Sequence, residues 1–247
     1  MKIETLGTID STSLEAARRA ATGERGPLWL HAGAQTVGRG RHGRDWASPE
    51  GNLYATLLFP VADDPARAAL HSFAACLAVA DCLDVLTGAR ARVAIKWPND
   101  ALLDGCKVAG VLLESGIGTA GRWLSIGVGI NLAHAPAESR WPATSIAAAT
   151  GRPAPDPAQA LTLLSQAMTT RLHQFETEGF ASIRIDWLSR AARLGETVEA
   201  RLPGHTTRGI FETLDGDGAM VLRTDAGARR IHAADVHFPE DAHASGH

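Results

Sequence analysis

The chain has little of what several common protein classes require. Its three cysteines, Cys76, Cys82 and Cys106, are scattered, with no C-x-x-C pair. They read as reduced thiols of a cytosolic protein, and Cys76 and Cys82 as small core residues of a helix. The ten histidines include no H-E-x-x-H or related spacing, so a structural zinc has no support. No apolar run reaches the length of a membrane span, and Met1-Lys2-Ile3-Glu4 does not open a signal peptide. Basic excess is also missing: 24 Lys and Arg face 27 Asp and Glu, a formal net charge of -3. That balance predicts no general attraction to nucleic acid or membrane, so any electropositive character must be local. The expected setting is the cytoplasm.

What is present is an ordinary globular composition, 45% hydrophobic and 21% charged over 247 residues, enough for one good core and a small second one. The chain is organised around residues 35–58. There Arg39, Arg41 and Arg44 alternate with Gly38, Gly40 and Gly43, and Ser48-Pro49-Glu50-Gly51 turns into an apolar run. Glycine lets backbone approach a ligand, and arginine presents a fixed fork of donors to phosphate or carboxylate. The stretch reads as an anion-binding loop feeding a buried strand. Its glycines spell G-x-G-x-x-G, but Asp45-Trp46-Ala47-Ser48-Pro49 follows as a turn where a dinucleotide fold needs a helix. A nucleic-acid-binding RG segment and a solvated surface loop are the other readings; a single run in an acidic chain disfavours the first.

In chain order, residues 3–6 read as a strand. Thr12 and Glu15 fit the capping box of a helix ending near Ala21. For Ser11 and Thr12, plain capping and ligand binding at a helix N-terminus both stand. Residues 28–32 and 52–59 are strands flanking the arginine loop. Asp64-Pro65 starts a helix with Leu70, Phe73, Leu77, Val79, Leu83 and Leu86 facing a core up to Gly88. Residues 93–97, 107–114 and 125–132 read as apolar strands of a mixed or antiparallel sheet, with Pro98-Asn99-Asp100 and Asp104-Gly105 as turns. Lys96 and Lys107 are unusual in such strands; edge protection would explain them blandly, as turn formation would Asn99 and Asp100. Residues 133–157 are loops with one short helix, Asp156-Pro157 starts another helix, and 180–192 is a further helical piece. From Leu194-Gly195 short strands separated by Asp-Gly turns predict a small antiparallel barrel. The expected division is a main domain of 1–193, a barrel of 194–238 and a disordered tail of 239–247.

Ser11-Thr12-Ser13, GRGRHGRDW with SPEGNLY, KWPNDAL, GCKVAGVLLE and GVGINL closely resemble, in wording and order, the motifs of biotin protein ligases. The likeness spans Asp10 to Leu132, and Gly209-Ile210-Phe211 with the run from Leu214 to Leu222 resembles that family's SH3-like barrel. The resemblance implies an α+β fold: a class II synthetase-like catalytic domain with a mixed or antiparallel sheet and helices, plus the C-terminal barrel. It implies activation of biotin by ATP as biotinyl-5'-AMP, then transfer to one lysine of the biotin carboxyl carrier domain of a biotin-dependent carboxylase. Mg2+ is the implied metal, nucleic acid and membrane are not implied partners, and a homodimer stays open.

By the same resemblance, Arg39 and Arg41 order over the intermediate, neutralise its phosphate and exclude water. Arg44 and Lys96 contact ATP phosphates. Lys107 sits beside the biotin carboxylate, and Asp100 faces the acceptor lysine. Ser11, Thr12, Gln35, Gly38 and Gly110 belong with Arg39, Arg41 and Lys107 in the biotin site. Trp46, Asn99, Asn131 and Trp141 join the ATP site, Trp141 as an adenine platform or simply a packed loop residue. Asn99 with Asp100 is the candidate Mg2+ pair. Ser13 stands where Asn is common and His42 where many relatives have Arg; neither removes a required group. The first motif begins by Asp10, which leaves no room for the N-terminal winged helix-turn-helix of bifunctional relatives, so a ligase without repressor function is expected. A lipoate or octanoate protein ligase is the nearest alternative. A non-catalytic biotin sensor is the alternative from another class, although it predicts loss of charged groups that are all present.

Overall fold

The computed structural model describes residues 1–238 except 63, 89, 138, 140, 203 and 233. The expected disordered tail therefore lies outside the described residues. Strand β1 (Lys2–Ile9) leads through helix α1 (Thr12–Ala21) to β2 (Leu28–Gln35), which pairs with it in parallel. The arginine loop then returns the chain antiparallel as β3 (Leu53–Pro60). Asp64 caps α2 (Pro65–Ala69), accepting the N–H groups of Ala66 and Arg67, and α3 (His71–Thr87) follows. Gly88 ends α3 in the left-handed region, φ 59°, where a side chain would be strained.

Strands β4 (Val93–Lys96), β5 (Asp100–Leu103), β6 (Cys106–Gly118) and β7 (Gly121–Ile130) complete a seven-stranded mixed sheet in the order β1-β2-β3-β7-β6-β5-β4. The mixed sheet expected from the sequence is thus present. Strand β5 is the missed element: Asp100, expected in a turn, opens a four-residue strand paired on both sides. Four residues are too few for periodicity to reveal.

After the short helix α4 (Ile146–Thr150), α5 (Pro157–Ser189) packs against α3; Gly179, at φ 76°, breaks it into the two expected helical pieces. Strands β8 (Thr197–Leu202), β9 (His205–Leu214), β10 (Met220–Thr224), β11 (Gly227–Ile231) and β12 (Asp235–His237) form an antiparallel sheet in the order β11-β10-β9-β8-β12.

Alternation along the strands separates two apolar layers. Trp29, Leu53, Ala55 and Leu57 face α3 and α5, whereas Leu28, Leu30 and Leu58 pack with Ala16 and Ala20 of α1. Tyr54 and Thr56 alternate with the first set and so share the α1 side. The larger core continues into the C-terminal sheet through Trp187, Phe211 and Met220. The expected small second core therefore lies under α1 and not in the C-terminal unit. Trp97 Nε1, just past β4, donates to the Gly218 carbonyl at 3.1 Å, fastening the large sheet to the turn between β9 and β10, and Arg184 of α5 donates to Thr213 Oγ1 of β9 at 2.8 Å. Contrary to expectation, Pro65–Thr87 is long and apolar enough to cross a membrane, but 61% of its apolar window is buried within the protein.

Candidate active site

A cleft, partly open to solvent, lies between the α1 side of the large sheet and strand β12. One end is polar and uncharged. Ser11, Thr12 and Ser13 are buried where α1 begins. Gln35 Oε1 accepts from the Thr12 N–H at 2.8 Å and from Thr12 Oγ1 at 3.1 Å, while Gln35 Nε2 donates to Ser48 Oγ at 2.9 Å. The expected capping box does not form: Ser11 is the N-cap without a side-chain bond, Thr12 is committed to Gln35, and Glu15 pairs with Arg18 and Arg19.

The arginine loop also lines the cleft. Gly40 N–H donates to the Arg44 carbonyl at 2.7 Å and Trp46 N–H to the Gly38 carbonyl at 2.9 Å, making a narrow hairpin. Each arginine reaches a different element. Arg39 pairs with Glu114 of β6 at 3.2 Å, Arg41 Nη1 donates to Asn99 Oδ1 at 3.1 Å, and Arg44 pairs with Asp235 of β12. Burial pulls the Arg41 guanidinium below its ordinary pKa, a shift that the Asp100 and Asp235 carboxylates oppose. Arginine nevertheless keeps its charge.

Lys107 Nζ meets Asp100 Oδ1 at 2.7 Å and lies 5.3 Å from the Trp46 ring. The indole of Trp46 lies flat on two glycines: a Cβ at Gly129 would sit 2.6 Å from it, and one at Gly110 would sit 3.1 Å away. Its Nε1 is buried without a hydrogen-bond partner. Lys96 is 7% exposed, with Nζ 3.6 Å from the Trp141 ring centroid and 4.6 Å from that of Phe238. Edge protection explains neither lysine: Lys96 lies on the edge strand β4 but is buried against aromatic rings, and Lys107 belongs to a strand paired on both sides. The Lys107 carbonyl accepts from Thr144 N–H at 2.9 Å, tying the segment after Trp141 to this strand.

Ser11, Thr12, Gln35, Arg39, Arg41, Arg44, Trp46, Lys96, Asn99, Asp100, Lys107, Gly110 and Trp141 all line the cleft. Two expected residues do not. A Cβ at Gly38 would lie 2.2 Å from the Trp46 carbonyl oxygen and 2.4 Å from Ser48 Oγ, so this glycine makes room for the loop's own backbone. Asn131 is buried behind the cleft, where its Nδ2 donates to the Thr144 carbonyl at 3.1 Å. The Asn99–Asp100 metal pair does not fit a protein-held Mg2+. Asn99 Oδ1 already accepts from Arg41, Asp100 faces Lys107, and no group of three or more His, Cys, Asp or Glu side chains poised for a metal occurs among the described residues.

Several cleft residues had no signal in the sequence. Tyr54, whose hydroxyl donates to the Pro49 carbonyl at 2.8 Å, reads there as an ordinary strand residue. Burial pushes its phenol up to about 12. Asp235 stands 191 positions from the arginine it pairs with. His237, outside the cleft lining, packs edge-on against Trp141, ring centroids 4.1 Å apart.

A model of the biotin/lipoate A/B protein ligase family matches residues 8–131, and one of the biotin protein ligase C-terminal domain matches residues 194–238. A biotin--[acetyl-CoA-carboxylase] ligase of Paracoccus denitrificans is 45% identical over 239 residues, covering 94% of this chain and 99% of that protein. One from Mycobacterium tuberculosis is 33% identical, covering 93% of this chain and 85% of that protein. Among solved structures, the biotin protein ligase of Aquifex aeolicus in complex with biotin and ATP superposes with a TM-score of 0.82 at 27% identity, covering 96% and 97% of the two chains.

Proposed function

The chain belongs to the biotin/lipoate A/B protein ligase family, and from that premise we propose that it is an ATP-dependent biotin protein ligase. The observation that carries the reading is the composition of one cleft: an uncharged polar end at Ser11, Thr12 and Gln35, and five cationic side chains, Arg39, Arg41, Arg44, Lys96 and Lys107, beside it. A urea ring with a carboxylate tail, followed by a triphosphate, has that sequence of polarities. The biotin carboxylate oxygen attacks the α-phosphorus of ATP, and the bond to the leaving pyrophosphate breaks. The acceptor lysine amine then attacks the acyl carbon of biotinyl-5'-AMP, loses a proton and expels AMP.

In this reaction Lys107 offsets repulsion between the incoming carboxylate and the phosphate, and later polarises the acyl carbonyl. Its contact with Asp100 holds the ammonium in place and leaves that carboxylate beside the acyl group, where it orients the attacking amine. Arg44 and Lys96 bind the ATP phosphates; Arg39 and Arg41 close over the anhydride and exclude water. In the ligand-free chain these arginines rest on Glu114, Asn99 and Asp235, which stand where substrate anions will compete. Trp46 and Trp141 supply apolar walls.

Mg2+ would arrive as part of the ATP substrate, and Asn99 and Asp100, engaged by Arg41 and Lys107, would not be its protein ligands. Residues 1–193 form the catalytic unit and 194–238 the SH3-like unit, whose Asp235 reaches the loop. The acceptor is the biotin carboxyl carrier domain of a biotin-dependent carboxylase, the setting is cytoplasmic and without nucleic acid, and a homodimer is compatible with the site. The test is pyrophosphate release from MgATP with biotin, lipoate or octanoate, followed by addition of a carrier domain. Release with biotin and mass gain on one carrier lysine is the expected result. Turnover of lipoate instead would make this a lipoate ligase, and biotin binding without turnover would make it a sensor.

A further inference from the structure

A run of buried hydroxyls stands behind the polar end of the cleft. Thr56, on β3, is 0% exposed and does not line the cleft. Its Oγ1 donates to Thr12 Oγ1 at 2.8 Å, and Thr12 Oγ1 donates onward to Gln35 Oε1 at 3.1 Å. Ser13 Oγ lies 3.5 Å from Thr56 Oγ1. On the other side of the carboxamide, Ser48 Oγ accepts from Gln35 Nε2 at 2.9 Å and donates to the Trp46 carbonyl at 2.8 Å. Gly127 makes the packing of hydroxyls admissible, since a Cβ there would lie 2.9 Å from Ser13 Oγ and 3.5 Å from Thr56 Oγ1.

The direction of these bonds has a consequence for Gln35. With the Thr12 N–H and O–H both donated to Oε1, the carboxamide oxygen is saturated, and it cannot exchange places with the nitrogen without opposing donor to donor. Ser48, whose own proton goes to the Trp46 carbonyl, offers Nε2 an acceptor only. Both ends therefore enforce one orientation, which keeps the second Nε2 proton available to an acceptor on the ligand. The Thr12 hydroxyl is likewise held as a donor to Gln35 because Thr56 occupies one of its lone pairs.

We propose that Thr56 and Ser48 are positioning residues that lock the Gln35 carboxamide as a donor, and leave the Thr12 hydroxyl one lone pair with which to accept, in the pattern selecting a urea-type head group. The proposal rests on the biotin ligase reading above. A dithiolane or a plain acyl chain offers no such acceptor, so the lock acts on discrimination among acids and not on phosphoryl chemistry.

Steady-state pyrophosphate release by the full chain, with biotin and MgATP varied separately, tests it. Thr56→Val keeps the shape and removes the hydroxyl; the KM for biotin should rise about tenfold, while kcat and the KM for ATP stay within about twofold. Thr56→Ser, which restores the hydroxyl, should keep the wild-type KM. Ser48→Ala should give the same selective rise, and it serves where the valine variant does not fold. An unchanged KM for biotin, an equal rise in the KM for ATP, or a serine variant as impaired as the valine one would overturn the lock. A wild-type chain that releases no pyrophosphate with biotin removes the functional reading and the lock together. Normal biotin turnover with insensitive Thr56 and Ser48 variants removes the lock alone.

Discussion

Replacing Lys107 by alanine removes the ammonium that lies 2.7 Å from Asp100, with side-chain exposures of 24% and 17%. In a half-buried site of effective dielectric about 20, two unit charges about 3 Å apart attract by about 5 kcal/mol. Asp100 and water compete for the same ammonium, so about half of that is available to the biotin carboxylate and the charge developing at phosphorus. A loss of about 2.7 kcal/mol lowers kcat/KM about 100-fold. The assay is pyrophosphate release at saturating ATP, run beside transfer from preformed biotinyl-5'-AMP to a carrier domain. Adenylation should show the full loss, and the unfolding midpoint should move little, since a partly exposed pair contributes at most about 1 kcal/mol. Asp100→Asn should reverse the pattern, sparing adenylation and slowing transfer. Normal pyrophosphate release by Lys107→Ala would refute the placement of Lys107 beside the reacting carboxylate.

Arg41→Gly removes the bond to Asn99 and loosens the loop, so it should release free biotinyl-5'-AMP and label lysines on bystander proteins; selectivity equal to wild type would contradict the lid role. Biotin with ATP should protect residues 37–45 from protease, and equal cleavage in both states would count against closure. Cys76 and Cys82 are buried, with burial pushing the Cys82 thiol up to about 12, so a thiol reagent should titrate Cys106 alone in the native chain and all three after denaturation; rapid native modification of three thiols would contradict the packing. His31 is 6% exposed with neither ring nitrogen hydrogen-bonded, and burial lowers its pKa from 6.5. The unfolded chain then binds the proton more readily, so stability falls as pH drops below about 6.5. His31→Leu should flatten the unfolding midpoint between pH 7.5 and 5, and an unaltered slope would show that other groups govern acid sensitivity.

Element starts and stops were legible because their causes are local. Asp64 and Asp156 cap helices two or three residues on, and Gly88 accepts the positive φ that ends α3. The Asp215 turn was equally visible, its carboxylate accepting from Asp217 and Ala219 N–H at 2.9 Å. The expected capping box fails because a distant residue outcompetes the local one: Thr12 turns to Gln35, 23 positions away. Strand β5 is hidden because four residues are too few for an alternating pattern to show, even though both of its ladders are local hairpins, Lys96 opposite Asp100 and Leu103 opposite Cys106.

The same division runs through the site. The sequence alone determined which chemical groups are available, because Arg39, Arg41, Arg44, Lys96, Asp100 and Lys107 sit in short motifs whose residue types declare anion binding. Tertiary structure decided what each group faces. Gly38 opens onto its own loop and not onto a ligand, Asn131 stands behind the cleft, and Asp100 meets Lys107 across two strands. Arg44 finds Asp235 in another sheet and Thr56 finds Thr12 across the α1 interface. Backbone preferences extend only a few residues along the chain, whereas a hydrogen bond or ion pair needs a partner within about 3 Å in space, and only folding brings distant residues that close.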